Sequence, residues 1–201
     1  MDSKKNFDVE NALTVLETQH TAREEMLVIS RKVIQNSSRS IRCTHRGELE
    51  TAQSLNEKSE ELLQSCREKL SKFPGMAANS MFYDAQKEYV ESCVLLSLIS
   101  GSKTATMEEL EVEPAAWING IVEAASELRR TVLDLLRSSN MERASELLEV
   151  MDDAYSMAIT IDYPDALTHG LRRTTDAFRA VLERTRGDVT TATIFLKARS
   201  E

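Results

Sequence analysis

The sequence predicts an all-α protein, a bundle of about seven helices joined by short connections. Three observations carry that expectation. Only three prolines and six glycines interrupt 201 residues. Leu, Ala, Glu, Arg and Ser are among the commonest residues, and the first four favour helix. No segment alternates apolar and polar residues at the two-residue period of a strand. At this length, one domain spanning 1–201 buries a substantial core.

The first helix is predicted over about 9–45, where Leu13, Leu16, Met26, Val33 and Ile41 supply apolar positions and Gly47 ends the run. A second, over about 48–70, stops before Pro74-Gly75. Asn79 or Ser80 caps a third, which reaches Ser100 ahead of Gly101. Thr106 and Glu109 have the spacing of a capping box and open a short turn ending near Val112. Pro114 suits the first position of a fifth helix, which continues to about Ser138. Asn140 caps a sixth, to about Thr160. Asp165 opens a seventh that Gly187 closes, and Asp188 caps a last short one.

Composition narrows the function classes. Acids outnumber bases by 33 to 25, for a net charge of −8, which argues against nucleic-acid binding through bulk charge. Any such binding must rest on a local basic patch. No run approaches the ~20 apolar residues of a membrane span. The start, Met1-Asp2-Ser3-Lys4-Lys5, leads into a charged amphipathic stretch rather than a signal peptide. Cys43, Cys66 and Cys93 are odd in number and never spaced as a CxxC pair. They read as reduced thiols of a cytoplasmic protein, not as a disulfide framework or a zinc site.

Glu88 and Glu91 stand one helical turn apart, on one face. The stretch that follows, Ser92-Cys93-Val94-Leu95-Leu96-Ser97-Leu98-Ile99, carries no charge, so Glu91 sits at the edge of a core. A carboxylate there needs a partner, either a metal ion or a salt bridge. The pairs Glu57/Glu60, Glu108/Glu111 and Glu146/Glu149 have the same spacing without the apolar continuation and read as solvated faces. Glu127 shares a stripe with Gly120, Glu123 and Asp134, an exposed-looking face that Arg129 or Arg130 could pair. Asp153 shares one with Glu142, Glu146 and Glu149, also solvated in appearance. If Glu88, Glu91 and Asp153 met, they would suit Mg²⁺ or Mn²⁺, which prefer oxygen ligands and act on phosphodiesters. Glu17 and His20 form one Glu-x-x-His, but a ferritin-like site needs two, and no second exists.

A basic stripe complements the acids. Lys32, Gln35, Arg39, Arg42 and Arg46 follow at three- and four-residue steps, with no acid between Lys32 and Arg46. Solvated faces usually mix signs, so an unbroken basic stripe points to an anion such as a phosphate backbone. Arg172, Asp176, Arg179, Glu183 and Arg186 alternate in sign and read as a self-paired surface.

These segments resemble the translin and translin-associated factor X family. Arg23-Glu24-Glu25 and Ile41-Arg42-Cys43-Thr44-His45-Arg46-Gly47-Glu48 look like its archaeal branch. Glu88-Tyr89-Val90-Glu91-Ser92 is similar to the family's Glu-Tyr/Leu-Val-Glu-Ala. Trp117-Ile118-Asn119-Gly120-Ile121 with Ser126-Glu127-Leu128-Arg129-Arg130, and later Leu171-Arg172-Arg173 through Asp176, look like further family motifs. The resemblance implies a closed hollow oligomer, usually octameric, that binds single-stranded RNA or DNA. In the factor X branch it implies a Mg²⁺-dependent endoribonuclease. Glu88 and Glu91 match that branch's paired glutamates, Asp153 its Tyr-Asp-Gly-Phe aspartate, and Glu127 the Gly-Glu-Leu glutamate, as a fourth acid. Ala154 and Ser126 replace family glycines, and Asp152 leaves the register of the third acid open by one residue.

The leading expectation is a homo-oligomeric, Mg²⁺- or Mn²⁺-dependent endoribonuclease on single-stranded RNA. Glu88, Glu91 and Asp153 would hold the metal, and Lys32, Arg39, Arg42 and Arg46 the phosphate backbone. A translin-type binding protein without catalysis is the alternative. A helical interaction scaffold is the third reading, but segments such as Arg46-Gly47-Glu48-Leu49 and Asn140-Met141-Glu142-Arg143 lie too far apart for a 34-residue repeat.

Overall fold

Helix follows helix along the chain in a computed structural model that describes residues 9–73 and 80–198. In order they are α1 Val9–His45, α2 Leu49–Lys72, α3 Ser80–Ser100, α4 Met107–Leu110, α5 Pro114–Arg137, α6 Met141–Ile159, α7 Asp165–Thr168 and α8 Leu171–Ala198. No strand occurs among the described residues, so the fold is all-α as predicted. Pro74, Gly75 and Asn79, expected to end α2 and cap α3, lie outside the described residues.

Local chemistry sets most of the boundaries. The capping box forms, with the Glu109 amide donating to Thr106 Oγ1 at 3.2 Å and the Thr106 amide to Glu109 Oε2 at 2.7 Å. Pro114 is the first residue of α5, and the Asn140 side chain accepts from the Arg143 amide at 3.2 Å to cap α6.

The C-terminal third departs from expectation. Gly187 does not close a helix; α8 runs through it, and Asp188 pairs with Arg129 Nη1 at 2.8 Å instead of capping. A mid-helix glycine costs about 1 kcal/mol relative to alanine. Burial of Leu182, Thr185 and Val189 on either side of it offsets that cost. The break falls earlier, at His169 and Gly170, both with positive φ. Tertiary contacts hold it there. Tyr83 stacks on the His169 ring with centroids 4.1 Å apart, and Asn119 Nδ2 donates to the Thr168 carbonyl at 2.8 Å.

Packing places α3 and α5 at the centre. The first helix lies on α2 and α3, α3 on α5, and α5 on α6 and α8. Met26, Val33, Leu63, Leu95, Val122, Leu128, Leu147, Met151, Phe178 and Leu182 fill the core between them. Leu13 and Leu16, at the other end of α1, are 59% exposed. No helix among the described residues is long and apolar enough to cross a membrane. Cys43, Cys66 and Cys93 are all free thiols.

Candidate metal centre

Carboxylates reach the interior here because α3 is apolar nearly all round. Tyr89, Val90, Ser92, Val94 and Leu95 are buried beside the acidic pair, and Glu91 itself is only 8% exposed. The opposing helix arrives through Gly120. A Cβ at that position would stand 2.7 Å from Val90 Cβ and Cγ1 and 2.8 Å from the Lys87 carbonyl oxygen. Only glycine lets the two backbones come this close. The approach brings Glu123, one turn along α5, against the α3 pair. One oxygen from each of Glu88, Glu91 and Glu123 lies within 4.8 Å of the others.

Lys87 is the cation already present. Its Nζ donates to both Glu123 oxygens, at 2.6 and 2.8 Å, and lies 3.7 Å from Glu88 Oε1. Burial works against its charge, but Glu123, Glu88 and Glu91 outweigh burial and raise its pKa. No described residue hydrogen-bonds or ion-pairs with the Glu91 carboxyl. Burial, reinforced by Glu88, Glu123 and Glu127, pushes Glu91 up to about 9. Burial also raises Glu88, against the pull of Lys87. Three carboxylates so arranged fit a small divalent cation with oxygen ligands, and the upward push on Glu91 is the mark of a site short of positive charge.

Glu127 borders the cluster from the next turn of α5. It accepts a 2.9 Å hydrogen bond from His45 Nε2, which holds its carboxyl below the usual range. The His45 side chain is 3% exposed, so the end of α1 is fixed to the edge of the acids. The expected exposed face on α5 is therefore half-buried, with Glu123 and Glu127 paired to Lys87 and His45; Arg129 pairs with Asp188 instead, and Arg130 acts on Glu127 through its charge without an ion pair. Glu57/Glu60, Glu108/Glu111 and Glu146/Glu149 are exposed, as solvated pairs should be.

Asp153 is not brought to this cluster. It is exposed on α6, while its neighbour Asp152 pairs with Arg186 of α8. Within one chain Glu123 takes the third place, because α6 packs on α5 and α8. Sequence reasoning passed over Glu123, although it stands four residues before Glu127 and three after Gly120 on the same stripe. Lys87 was missed as well. It directly precedes Glu88, and nothing local shows which way it points.

Lys32, Arg39 and Arg42 are exposed on α1 and Arg46 in the turn just after it, and Arg31, Lys32, Gln35, Ser38 and Arg42 line a shallow groove. Arg46 is not free for an anion: Nε and Nη2 each reach Glu48 at 2.8 Å, an acid just past the stripe. On α8, Arg186 meets Glu183 at 2.8 Å, while Arg172 and Arg179 have no ion pair among the described residues. The alternating surface is thus only partly self-paired.

Comparison with known proteins gives the family. The chain is 35% identical to AfC3PO, whose crystal structure superposes with a TM-score of 0.84 over 94% of this chain and 98% of that one. The chain belongs to the translin family. A second AfC3PO structure, in complex with duplex RNA, matches with a TM-score of 0.81 at 35% identity, covering 94% and 97% of the two chains. Apo-NeC3PO shares the fold, with a TM-score of 0.83 at 20% identity over 94% of this chain and all of that one (100%). An uncharacterized protein of Methanocaldococcus jannaschii is 29% identical over 190 residues, 93% of this chain and 83% of the relative. No family model matches the sequence.

Within this translin-family fold, Lys87 offers a direct test of the site's charge balance. Lys87→Met leaves the three carboxylates with no cation, and removing one partner from a half-buried ion pair destabilises the fold. The expected result is a Tm lower by roughly 5 °C in EDTA, recovered on adding millimolar Mn²⁺. A loss that Mn²⁺ fails to recover counts against a divalent cation at this position.

Proposed function

We propose that this protein is a homo-oligomeric, divalent-metal-dependent endoribonuclease acting on single-stranded RNA, a cytoplasmic, octameric shell built from copies of this chain. The observation that carries this reading is the half-buried cluster of Glu88, Glu91 and Glu123, three carboxylates with one lysine among them. Membership of the translin family and the duplex-RNA complex of the 35%-identical AfC3PO support RNA as the ligand class.

Glu88, Glu91 and Glu123 would hold Mg²⁺ or Mn²⁺, with Glu127 at the edge of the group. Such an ion supplies polarisation of a phosphodiester and a water of lowered pKa. The chain's own groups prepare the site. Burial pushes the Glu91 carboxyl up, so binding of a cation there would be coupled to loss of its proton. Lys87 fixes the Glu123 carboxylate in one orientation through two hydrogen bonds. His45 holds Glu127 through a single hydrogen bond. Lys32, Arg39 and Arg42 present exposed charge for a phosphate backbone, which gives position rather than sequence choice.

The test is cleavage of labelled single-stranded and duplex RNA with Mn²⁺, by the wild type and by a Glu88→Ala/Glu91→Ala variant. The expected result is cleavage lost by at least ~10³-fold in the variant, in keeping with removal of a charge-stabilising group, with RNA binding retained. Full cleavage by the variant overturns the site. A second reading, a translin-type binding protein without catalysis, is favoured by Lys87, which already satisfies part of the acid cluster. It predicts salt-sensitive RNA binding that weakens when Arg39 and Arg42 are neutralised, and no cleavage with any divalent metal.

A further inference from the structure

We infer that the groove between α5 and α8 is a phosphate track that leads an RNA strand past the acid cluster, with Arg130 and Arg173 gripping phosphates on either side. The inference deepens the proposed function and rests on it for the ligand.

Two depressions of about 420 and 630 Å³ lie between α5 and α8 and meet at Ser126 and Val181, which line both. The first carries Glu123 and Arg173; the second carries Glu127, Arg129, Arg130, Asp134 and Arg137. The groove therefore passes a member of the acid cluster, then its bordering glutamate, with a cation at each end. On α5 this is one face: positions 123, 127, 130, 134 and 137 recur at three- and four-residue steps. Glu123 and Arg130 are seven residues apart, about 10 Å along the helix axis.

The arginines of this region divide into two kinds. Arg129 is held by Asp188 at 2.8 Å and Thr185 at 3.1 Å, and Arg186 by Glu183 and Asp152. These brace helix against helix. Arg130 and Arg173 are exposed and have no ion pair among the described residues. Arg137 meets Asp134 only at 3.4 Å, with its side chain 83% exposed. Arg130 helps hold the Glu127 carboxyl down through its charge but makes no ion pair with it, because Glu127 is hydrogen-bonded to His45 and Glu123 to Lys87; both guanidinium groups thus keep their hydrogen-bonding forks open at the groove. They are well explained by a polyanion. A phosphate chain approaching three glutamates is repelled, and cations on both sides of the acids are what holds it in place. The planar fork of arginine suits a phosphate, which it can bind through two parallel hydrogen bonds. This track is carried by helices other than α1, so its contribution separates cleanly from that of Lys32, Arg39 and Arg42.

The experiment measures binding of a fluorescent single-stranded RNA to the full chain in EDTA, over a range of salt. It compares wild type, Arg130→Ala/Arg173→Ala, and Arg172→Ala/Arg179→Ala as an α8 control outside the groove. We expect the first variant to weaken Kd by about tenfold or more and to reduce the salt slope by roughly 1.4, the value for two lost phosphate contacts on a single strand. The control variant and Mn²⁺ binding by the Arg130→Ala/Arg173→Ala protein stay as in wild type. If that protein binds RNA with wild-type affinity and slope, the track is overturned while the proposed function stands. If wild type itself binds no RNA, both fall.

Discussion

Gly120→Val is expected to lower Tm by roughly 6–12 °C and to abolish Mn²⁺ binding, although residue 120 carries no functional group. Any β-carbon there meets Val90 at 2.7 Å and the Lys87 carbonyl at 2.8 Å, and neither can swing away as a long flexible side chain could. Overpacking of this kind costs about 3 kcal/mol, which for a chain of this size gives the shift stated. Separation of α3 from α5 also draws Glu123 away from Glu88 and Glu91, which is why metal binding and stability fail together. Gly120→Ala is the gentler arm. Its gain in helix propensity, about 1 kcal/mol, offsets part of the clash and leaves a net loss of about 1–2 kcal/mol. An alanine variant as stable as wild type, with unchanged Mn²⁺ affinity, would show that the helix contact is not what assembles the acids.

Glu91→Gln should do the opposite for the metal-free protein. In the unfolded chain this carboxyl loses its proton near 4.5, and in the folded protein near 9. Between those values the native state holds one proton more than the unfolded state, so stability falls as pH rises. The contribution is fully favourable below about 4.5 and is lost progressively toward 9. Glutamine keeps the shape and does not titrate. In EDTA, the variant should therefore match wild type near pH 5 and exceed it by about 2 kcal/mol or more at pH 8. With Mn²⁺ the order reverses, because wild type gains from binding and the variant does not. Parallel pH profiles for the two proteins would refute a protonated Glu91.

What could be read from the sequence is what local chemistry decides. Thr106 with Glu109, Pro114 and Asn140 mark helix starts because their partners lie within one turn. The burial of Glu91 was legible too, since the uncharged run after it leaves that face no route to water. Other features depend on residues far apart in the chain. The break at His169 needs Tyr83 and Asn119, so the sequence alone placed the stop at Gly187. Glu123 and Lys87 join the site only through the register of α3 against α5. Family likeness pointed to Asp153, and within one chain α6 leaves it exposed.

The unbroken length of α1 has a consequence for the proposed endoribonuclease. Its 37 residues end at a histidine locked to Glu127, so the helix is anchored at the acids and projects away from them as a stiff rod. Lys32 stands thirteen residues from His45, about 20 Å along that rod. A rigid spacer turns sequence separation into a measured offset. On the proposed nuclease reading, a strand gripped on the α1 stripe would meet the carboxylates at a set distance from its grip, so fragment length, more than base identity, would be the signature of this architecture.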